Sequence, residues 1–364
     1  MSLIKKYFKI ILIQFALVVF ILELIGLWQK STDYFWNYRY LFINDHAYRQ
    51  LESGLWTYAP NSDIRSAAAY VIPKYRSWVE YDCTFKTNKF GLIDTNFTNQ
   101  KTVDWVVLGD SFTEGQGGCP WLTRQSIKES AISDKVVING GLQGGGIIQF
   151  ESLLGLIEKD VEIKNLLIIA ISNDFKRGLY PENYWSNRKK CLNDFECGED
   201  DYWWSIDLNS SHEQLLSKSS LRSIARNNPG EIWQSLNYYS FTYRVYKKIE
   251  SLIPRLQVHE NQVAMEESSK NVFIKNFQSL NTIKSKYPNL KIVLIPQRDE
   301  VGLLGHKNKD TDLVENYFYK NGISYSVCPL GIADYMPIDG HPNKGGYQKI
   351  FRCVEKFFQM KPVR

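Results

Sequence analysis

The chain has 364 residues, 44% of them hydrophobic and 14% aromatic, which is enough apolar surface for a large core and excludes wholesale disorder. Lys and Arg number 44 against 39 Asp and Glu, and the mild net charge of +5 comes with no dense basic cluster, which excludes nucleic acid as a partner.

Residues 10–28 are almost wholly apolar, broken by Gln14 and Glu23. Roughly 20 apolar residues suffice for a helix to cross a bilayer. Lys5, Lys6 and Lys9 precede the stretch. The positive-inside rule then predicts a cytoplasmic N-terminus (1–9), a transmembrane anchor (10–28) and an extracytoplasmic remainder. Leu27-Trp28-Gln29-Lys30 offers no small-x-small cleavage site, so the segment reads as a retained signal-anchor. Glu23 is costly in lipid and is expected near the outer interface or against a partner helix. Trp28, Tyr34, Phe35, Trp36, Tyr38 and Tyr40 read as an interfacial aromatic belt.

Residues 29–101 are rich in Tyr, Asn and Pro and carry no long periodic segment; they read as a stalk and lead-in to the domain that follows. From 102 to 364, short β-branched runs alternate with amphipathic stretches. Strands are predicted at 105–108, 136–138, 166–171, 291–295 and 323–327, and helices at 122–131, 147–158, 272–286, 312–321 and 344–358. This alternation predicts an α/β domain with a mainly parallel sheet covered on both faces. Residues 176–265 interrupt it and read as an inserted lid or subdomain. Ligands bind beyond the carboxyl ends of the strands in such sheets, so the insertion is expected beside the site. Its Tyr180, Tyr184, Trp185, Tyr202, Trp203 and Trp204 suit either sugar stacking or lid anchoring.

Six cysteines, an even number, fit a disulfide-bonded exported domain. Cys191 and Cys197 flank a short polar loop and are the predicted bridge; the pairing of Cys83, Cys119, Cys328 and Cys353 stays open. No pair has Cys-x-x-Cys spacing, so no zinc site is predicted, and no motif calls for a metal or an organic cofactor.

Four segments carry the chemistry. Gly109-Asp110-Ser111 follows the first predicted strand, Asn139-Gly140-Gly141-Leu142-Gln143-Gly144 the second, and Ser172-Asn173-Asp174 the third. Asp339-Gly340-His341-Pro342-Asn343 precedes the last helix. A serine hydroxyl is a weak nucleophile that needs a base within hydrogen-bond reach, and an imidazole titrates in the range that lets it take and return a proton. Asp339 is the expected partner of the other ring nitrogen of His341, and Asp110 is expected to bond the backbone of the nucleophile loop.

This ordered set resembles the SGNH/GDSL hydrolase superfamily, from about residue 58 to the C-terminus. The run Thr87-Asn88-Lys89-Phe90-Gly91-Leu92-Ile93-Asp94 is similar to membrane-anchored members. The resemblance implies a three-layer, flavodoxin-like α/β fold. It also implies Ser111 as nucleophile, His341 as general base and an oxyanion hole made by the N–H groups of Ser111 and Gly144 with the Asn173 amide. Two positions depart from the pattern. Ile171 stands where the third block has Gly, and Ile338 stands where the acid three residues before the histidine belongs; Asp339 is the substitute.

The implied activity is a membrane-anchored serine esterase removing acyl groups, acetyl above all, from an extracytoplasmic glycan or lipid. An O-acyltransferase that modifies an exported polysaccharide, alongside polysaccharide-modification partners, uses the same residues. A non-catalytic glycan-binding or assembly protein is the third reading, supported by Ile171 and Ile338.

Overall fold

The strand β6 (Thr102–Gly109) is central to the fold, and its side chains alternate between two cores. Val106 and Leu108 enter one core, with Leu166, Ile168, Ile292 and Leu294; Trp105 and Val107 enter the other, with Leu167, Ile169 and Val293. A period of two places successive residues on opposite faces of a sheet. The computed structural model describes residues 2–30, 38–44, 46–51, 55–72, 76–179, 203–217, 219, 242, 259–301, 307–337 and 339–359.

Five strands make this sheet: β6, β7 (Val137–Gly141), β8 (Glu162–Ala170), β10 (Lys291–Leu294) and β11 (Ser326–Val327). Their order is β11-β10-β8-β6-β7, and every registered pair is parallel. Counted along the chain this is the flavodoxin-like order, which reverses between the first and third strands and opens a crevice at their carboxyl ends. β8 shows why the strands read as apolar runs. It alternates at its start and is fully buried over its last five residues, as in a sheet covered on both faces.

Helices supply both covers. On one face lie α4 (Ile147–Ile157), α5 (His259–Lys286) and α6 (Lys309–Lys320), through Phe150, Leu153, Phe277, Leu280, Val314 and Phe318. On the other lie α3 (Arg124–Lys128) and α7 (Lys344–Phe358), through Ile127, Ile350, Val354 and Phe358. Burying one such aliphatic or aromatic side chain stabilises the fold by about 1.5–3 kcal/mol. α7 has the predicted bounds because its signals are local: Asn343 caps its N-terminus by accepting from the Gly346 N–H at 3.0 Å. α3 is shorter than the predicted 122–131. Thr123 and Ser126 form a capping box that starts it late, and its C-cap is already Glu129.

The lead-in departs most from the sequence reading. Residues 38–86 hold β1 (Tyr38–Asn44), β2 (Tyr48–Gln50), β3 (Trp56–Tyr58), β4 (Asp63–Ile72) and β5 (Arg76–Lys86) instead of an irregular stalk. β2 pairs antiparallel with β3, and a four-stranded sheet has the order β5-β4-β1-β9, where β9 is Trp203–Ile206. β1 pairs with β9 in parallel, Leu41 facing Trp203 and Asn44 facing Ile206. These strands are held by contacts distant in sequence. The Arg65 guanidinium grips Asp82 through two bonds of 2.9 and 2.7 Å and donates to the Asp207 and Leu208 carbonyls.

Two compact units result. The larger comprises Leu41–Ala68, Glu80–Asn209 and Val263–Arg364; the smaller comprises Met1–Tyr40, Ala69–Val79 and Ser210–Gln262. In the smaller unit, α1 (Ser2–Lys30) contains the expected anchor. Its Ile11, Ile13, Phe15 and Phe20 are exposed, and Glu23 accepts from the Thr242 backbone N–H at 3.0 Å. Among the described residues no helix is long and apolar enough to cross a membrane, and within 10–28 the described side chains are 10, 11 and 13–25. The predicted Cys191–Cys197 bridge lies outside the described residues, as does most of the insertion, including Tyr180, Tyr184, Trp185 and Tyr202. Among the described residues Cys83 pairs with Cys119 and Cys328 with Cys353.

Candidate active site

β6 ends at Gly109, and the chain turns at once into a single helical turn, α2 (Ser111–Glu114). Asp110 caps the turn, its Oδ1 accepting from the Phe112 N–H at 2.8 Å. Ser111 is thereby set at the carboxyl edge of the sheet, 4% exposed. Its Oγ lies 2.8 Å from Nε2 of His341, which is 230 residues away in sequence. The other ring nitrogen, Nδ1, lies 2.7 Å from Oδ2 of Asp339, whose side chain is fully buried. An ionised carboxylate only accepts, so Nδ1 carries the proton and Nε2 is left to accept from the serine hydroxyl.

The loop bearing His341 is held from several sides. Its carbonyl accepts from the Met336 N–H at 2.7 Å, and the Asn343 N–H donates to the Asp334 carbonyl at 2.8 Å. Asp334, the other acid near the histidine, is turned away: its Oδ2 accepts from Lys349 and from the Gly331 N–H, each at 2.7 Å. The Phe112 ring sits against the imidazole, with centroids 5.1 Å apart. Behind both runs the stretch Gly115-Gln116-Gly117-Gly118. A Cβ on Gly117 would lie 3.0 Å from the His341 Cβ, tighter than an ordinary contact, and its φ of +92° favours glycine as well. Tyr347 of α7 donates to the Gln116 carbonyl at 2.6 Å.

The strands of the lead-in clamp the same stretch. Tyr58 on β3 donates to Glu114 Oε1 at 2.6 Å, Tyr81 on β5 accepts from Gln116 Nε2 at 3.2 Å, and Cys83 on β5 is bonded to Cys119. The Thr87–Asp94 motif contributes here. Asn88 Oδ1 accepts from the Phe90 and Leu92 N–H groups, and the turn so formed receives the Tyr58 N–H on the Gly91 carbonyl at 3.0 Å. The sequence reading missed Tyr58, Tyr81 and Glu114, because none belongs to a local motif. The Cys83 and Cys119 pair was the one available signal, and a pairing cannot be read from an even count alone.

The other two motifs lie at the ends of β7 and β8. Within β7, Asn139 is structural: its Oδ1 accepts from the Gly141 N–H at 3.0 Å and its amide reaches the Thr113 and Leu122 carbonyls. Gly144 follows with φ of +65°. Asn173 sits exposed in the short helical turn Ser172–Lys176 after β8. It lines an open cleft of about 590 Å³ together with Phe112, Ile171, Arg298 and His341. Ile171, in the place expected for glycine, is buried and contributes an apolar wall.

Electrostatics around the nucleophile are unusual in two places. Glu114 is buried, and loss of hydration lifts its carboxyl to about 8, a rise opposed by the Tyr58 hydrogen bond and reinforced by the Asp110 charge. At neutral pH it is therefore largely protonated, and Gln143 donates to its Oε1 at 3.3 Å. Asp174 is also raised well above the ordinary carboxylate range, by burial and then by Asp110, with Arg177 opposing.

No family model matches the chain, and no curated protein matches it. Solved structures of distant likeness include a carbohydrate esterase whose active site displays divergent catalytic and non-catalytic binding functions, at 12% identity over 88% of this chain and 97% of that one, TM-score 0.35. A gut microbial diltiazem-metabolizing enzyme is similar at 15% identity over 72% of this chain and 48% of that one, TM-score 0.32. A Bacteroides fragilis protein provisionally named an acylhydrolase is similar at 13% identity over 73% of this chain and 90% of that one, TM-score 0.31. At such scores these likenesses carry no weight, and the fold rests on the strand order instead.

Proposed function

We propose that the protein is a serine esterase that removes a short acyl group, acetyl, from a glycan or lipid outside the cytoplasm. The observation that carries the reading is the continuous chain from Ser111 Oγ through His341, 2.8 Å on one side of the ring and 2.7 Å on the other, to a buried Asp339. Ser111 Oγ attacks the ester carbonyl while its proton passes to His341 Nε2. The negative charge that develops on the carbonyl oxygen is met by the N–H groups of Ser111 and Gly144 and by the Asn173 amide, each donor worth about 3–4 kcal/mol in a preorganised site. The tetrahedral adduct collapses, the alcohol leaves with the proton from Nε2, and an acyl-serine remains. Water, deprotonated by the same nitrogen, then releases the carboxylic acid and restores the serine. Asp339 keeps the ring in the productive tautomer and stabilises the imidazolium.

The exposed apolar side chains of α1 support a membrane anchor at 10–28, with the catalytic residues on the outer side. Carbonate-washed membranes should retain the full chain and release one that lacks residues 1–28; equal release of both would reject the anchor.

Turnover of p-nitrophenyl acetate and labelling by a serine-directed phosphonate test the chemistry. Wild type should show both and Ser111→Ala neither. Absence of both from wild type would reject catalysis in favour of a binding protein. With an acetylated donor and a glycan acceptor, free acetate marks hydrolysis, whereas acetylated glycan would assign the same residues to acyl transfer.

A further inference from the structure

Three loops must be in register for an oxyanion hole of this kind, and one side-chain atom touches all three. Nη1 of Arg177 lies 2.8 Å from Asp110 Oδ2, 3.1 Å from the Gly145 carbonyl and 2.6 Å from Asp174 Oδ1. Each acceptor is the immediate chain neighbour of a candidate donor: Asp110 of Ser111, Gly145 of Gly144, Asp174 of Asn173. We propose that Arg177 is a positioning residue that holds the Ser111, Gly144 and Asn173 loops in the register that points their donors at one oxygen. The role rests on the esterase reading above and deepens it.

The surroundings favour a fixed tie over a mobile surface arginine. Both carboxylates are fully buried, while the Arg177 side chain keeps 24% exposure and lines the cleft. The backbone beneath it is also fastened, because Asn276 on α5 donates to the Arg177 carbonyl at 3.0 Å and its Oδ1 accepts from the Ile148 N–H at the start of α4. A Cβ on Gly146 would lie 2.8 Å from the Arg177 Cβ, so the loop after β7 packs directly on this residue. Two buried carboxylates side by side repel unless they share a proton or a cation. Arg177 supplies the cation that ties the Asp110 and Asp174 loops together. Removing one partner from such a set leaves charge buried and uncompensated.

The test uses the full chain with Arg177→Met and Arg177→Lys, assayed on p-nitrophenyl acetate between about pH 5 and pH 9. The Met variant should lose kcat by about 100-fold, the scale of a misplacement near 1 Å. Its KM should stay within about three-fold of wild type, since the lost interaction acts in the transition state. It should also gain an alkaline fall in kcat, as Asp174, whose carboxyl burial raises, ionises with no cation beside it. The Lys variant, with a cation and three N–H donors for three acceptors, should lack that fall. A Met variant with kcat within about three-fold of wild type, or with a pH profile that superimposes on it, would overturn the proposal. Should the Met variant not fold, Arg177→Gln is read by the same two criteria. Should wild type itself show no turnover, the esterase reading fails and urea unfolding decides the tie alone. A steeper loss of stability with rising pH in the neutral variant supports it, and parallel curves reject it.

Discussion

Asp339 and His341 are two residues apart, yet their side chains meet, Oδ2 to Nδ1 at 2.7 Å. Gly340 between them has φ of +78°, which reverses the chain within one residue and brings two neighbouring side chains to the same side. The acid and the imidazole are therefore oriented by a local turn, and only the serine has to be delivered from elsewhere in the fold.

Asp339→Asn should lower kcat by about three to four orders of magnitude, because an amide stabilises neither the needed tautomer nor the imidazolium. Steady-state kinetics on an aryl acetate checks this, with KM expected to hold. Near-normal turnover would leave the ring oriented by some other group, and Asp334, paired with Lys349, is not placed to do so.

Gly117→Ala places a methyl 3.0 Å from the His341 Cβ and 3.4 Å from Asp339 Oδ2, at a φ of +92°. The backbone term alone costs about 1–2 kcal/mol. Displacement of the imidazole should reduce kcat by about 100-fold. A thermal melt and a phosphonate-labelling rate measured on one preparation separate the two effects; unchanged labelling would mean the loop absorbs the methyl without moving the ring.

Tyr347→Phe removes the hydroxyl that donates to the Gln116 carbonyl at 2.6 Å and leaves a buried acceptor without that bond. The cost should be about 1–3 kcal/mol, read from urea unfolding. Because Gln116 adjoins Gly117, turnover should fall too, by a smaller factor than in Gly117→Ala.

Glu114 gives a pH dependence with a definite sign. Its folded carboxyl titrates at about 8, above the ordinary value of 4.5, so folding favours the protonated form. The contribution is fully present below about pH 4.5 and is lost as pH rises through about 8, on a scale of roughly 3–6 kcal/mol for a shift of this size. Glu114→Gln keeps the acceptor for Tyr58 and cannot ionise. Its stability should match wild type at about pH 5 to within 1 kcal/mol and exceed it at about pH 9. Urea midpoints at the two pH values check the claim; equal pH slopes for both proteins would show that Glu114 is ionised in the fold.

The core strands and helices of the larger unit were legible because their signals lie within a few residues of one another. The apolar runs of β6 and β8 carry their own periodicity, and Asn343 announces the start of α7. The motif residues were legible for the same reason, since Ser111 follows a strand and Asp339 and His341 share one loop. Residues 38–86 were not, as their strands are short, interrupted and stabilised by partners far along the chain, such as Arg65 with Asp82 and Asp207.

What the sequence by itself determined is the inventory: a serine after a strand, an acid and a histidine on one turn, glycine-rich and Asn-Asp loops at strand ends, and the parallel α/β alternation that puts those ends along one edge. What only the tertiary structure decided is which side chains hold that edge in register. Arg177, Glu114, Tyr58 and the Cys83–Cys119 bridge act through burial or across long gaps in the chain, as in the 67-residue step from Arg177 to Asp110 and the 56-residue step from Tyr58 to Glu114. Neither distance in space nor loss of hydration has any local signature in a string of residues, and both arise only once the two cores have closed.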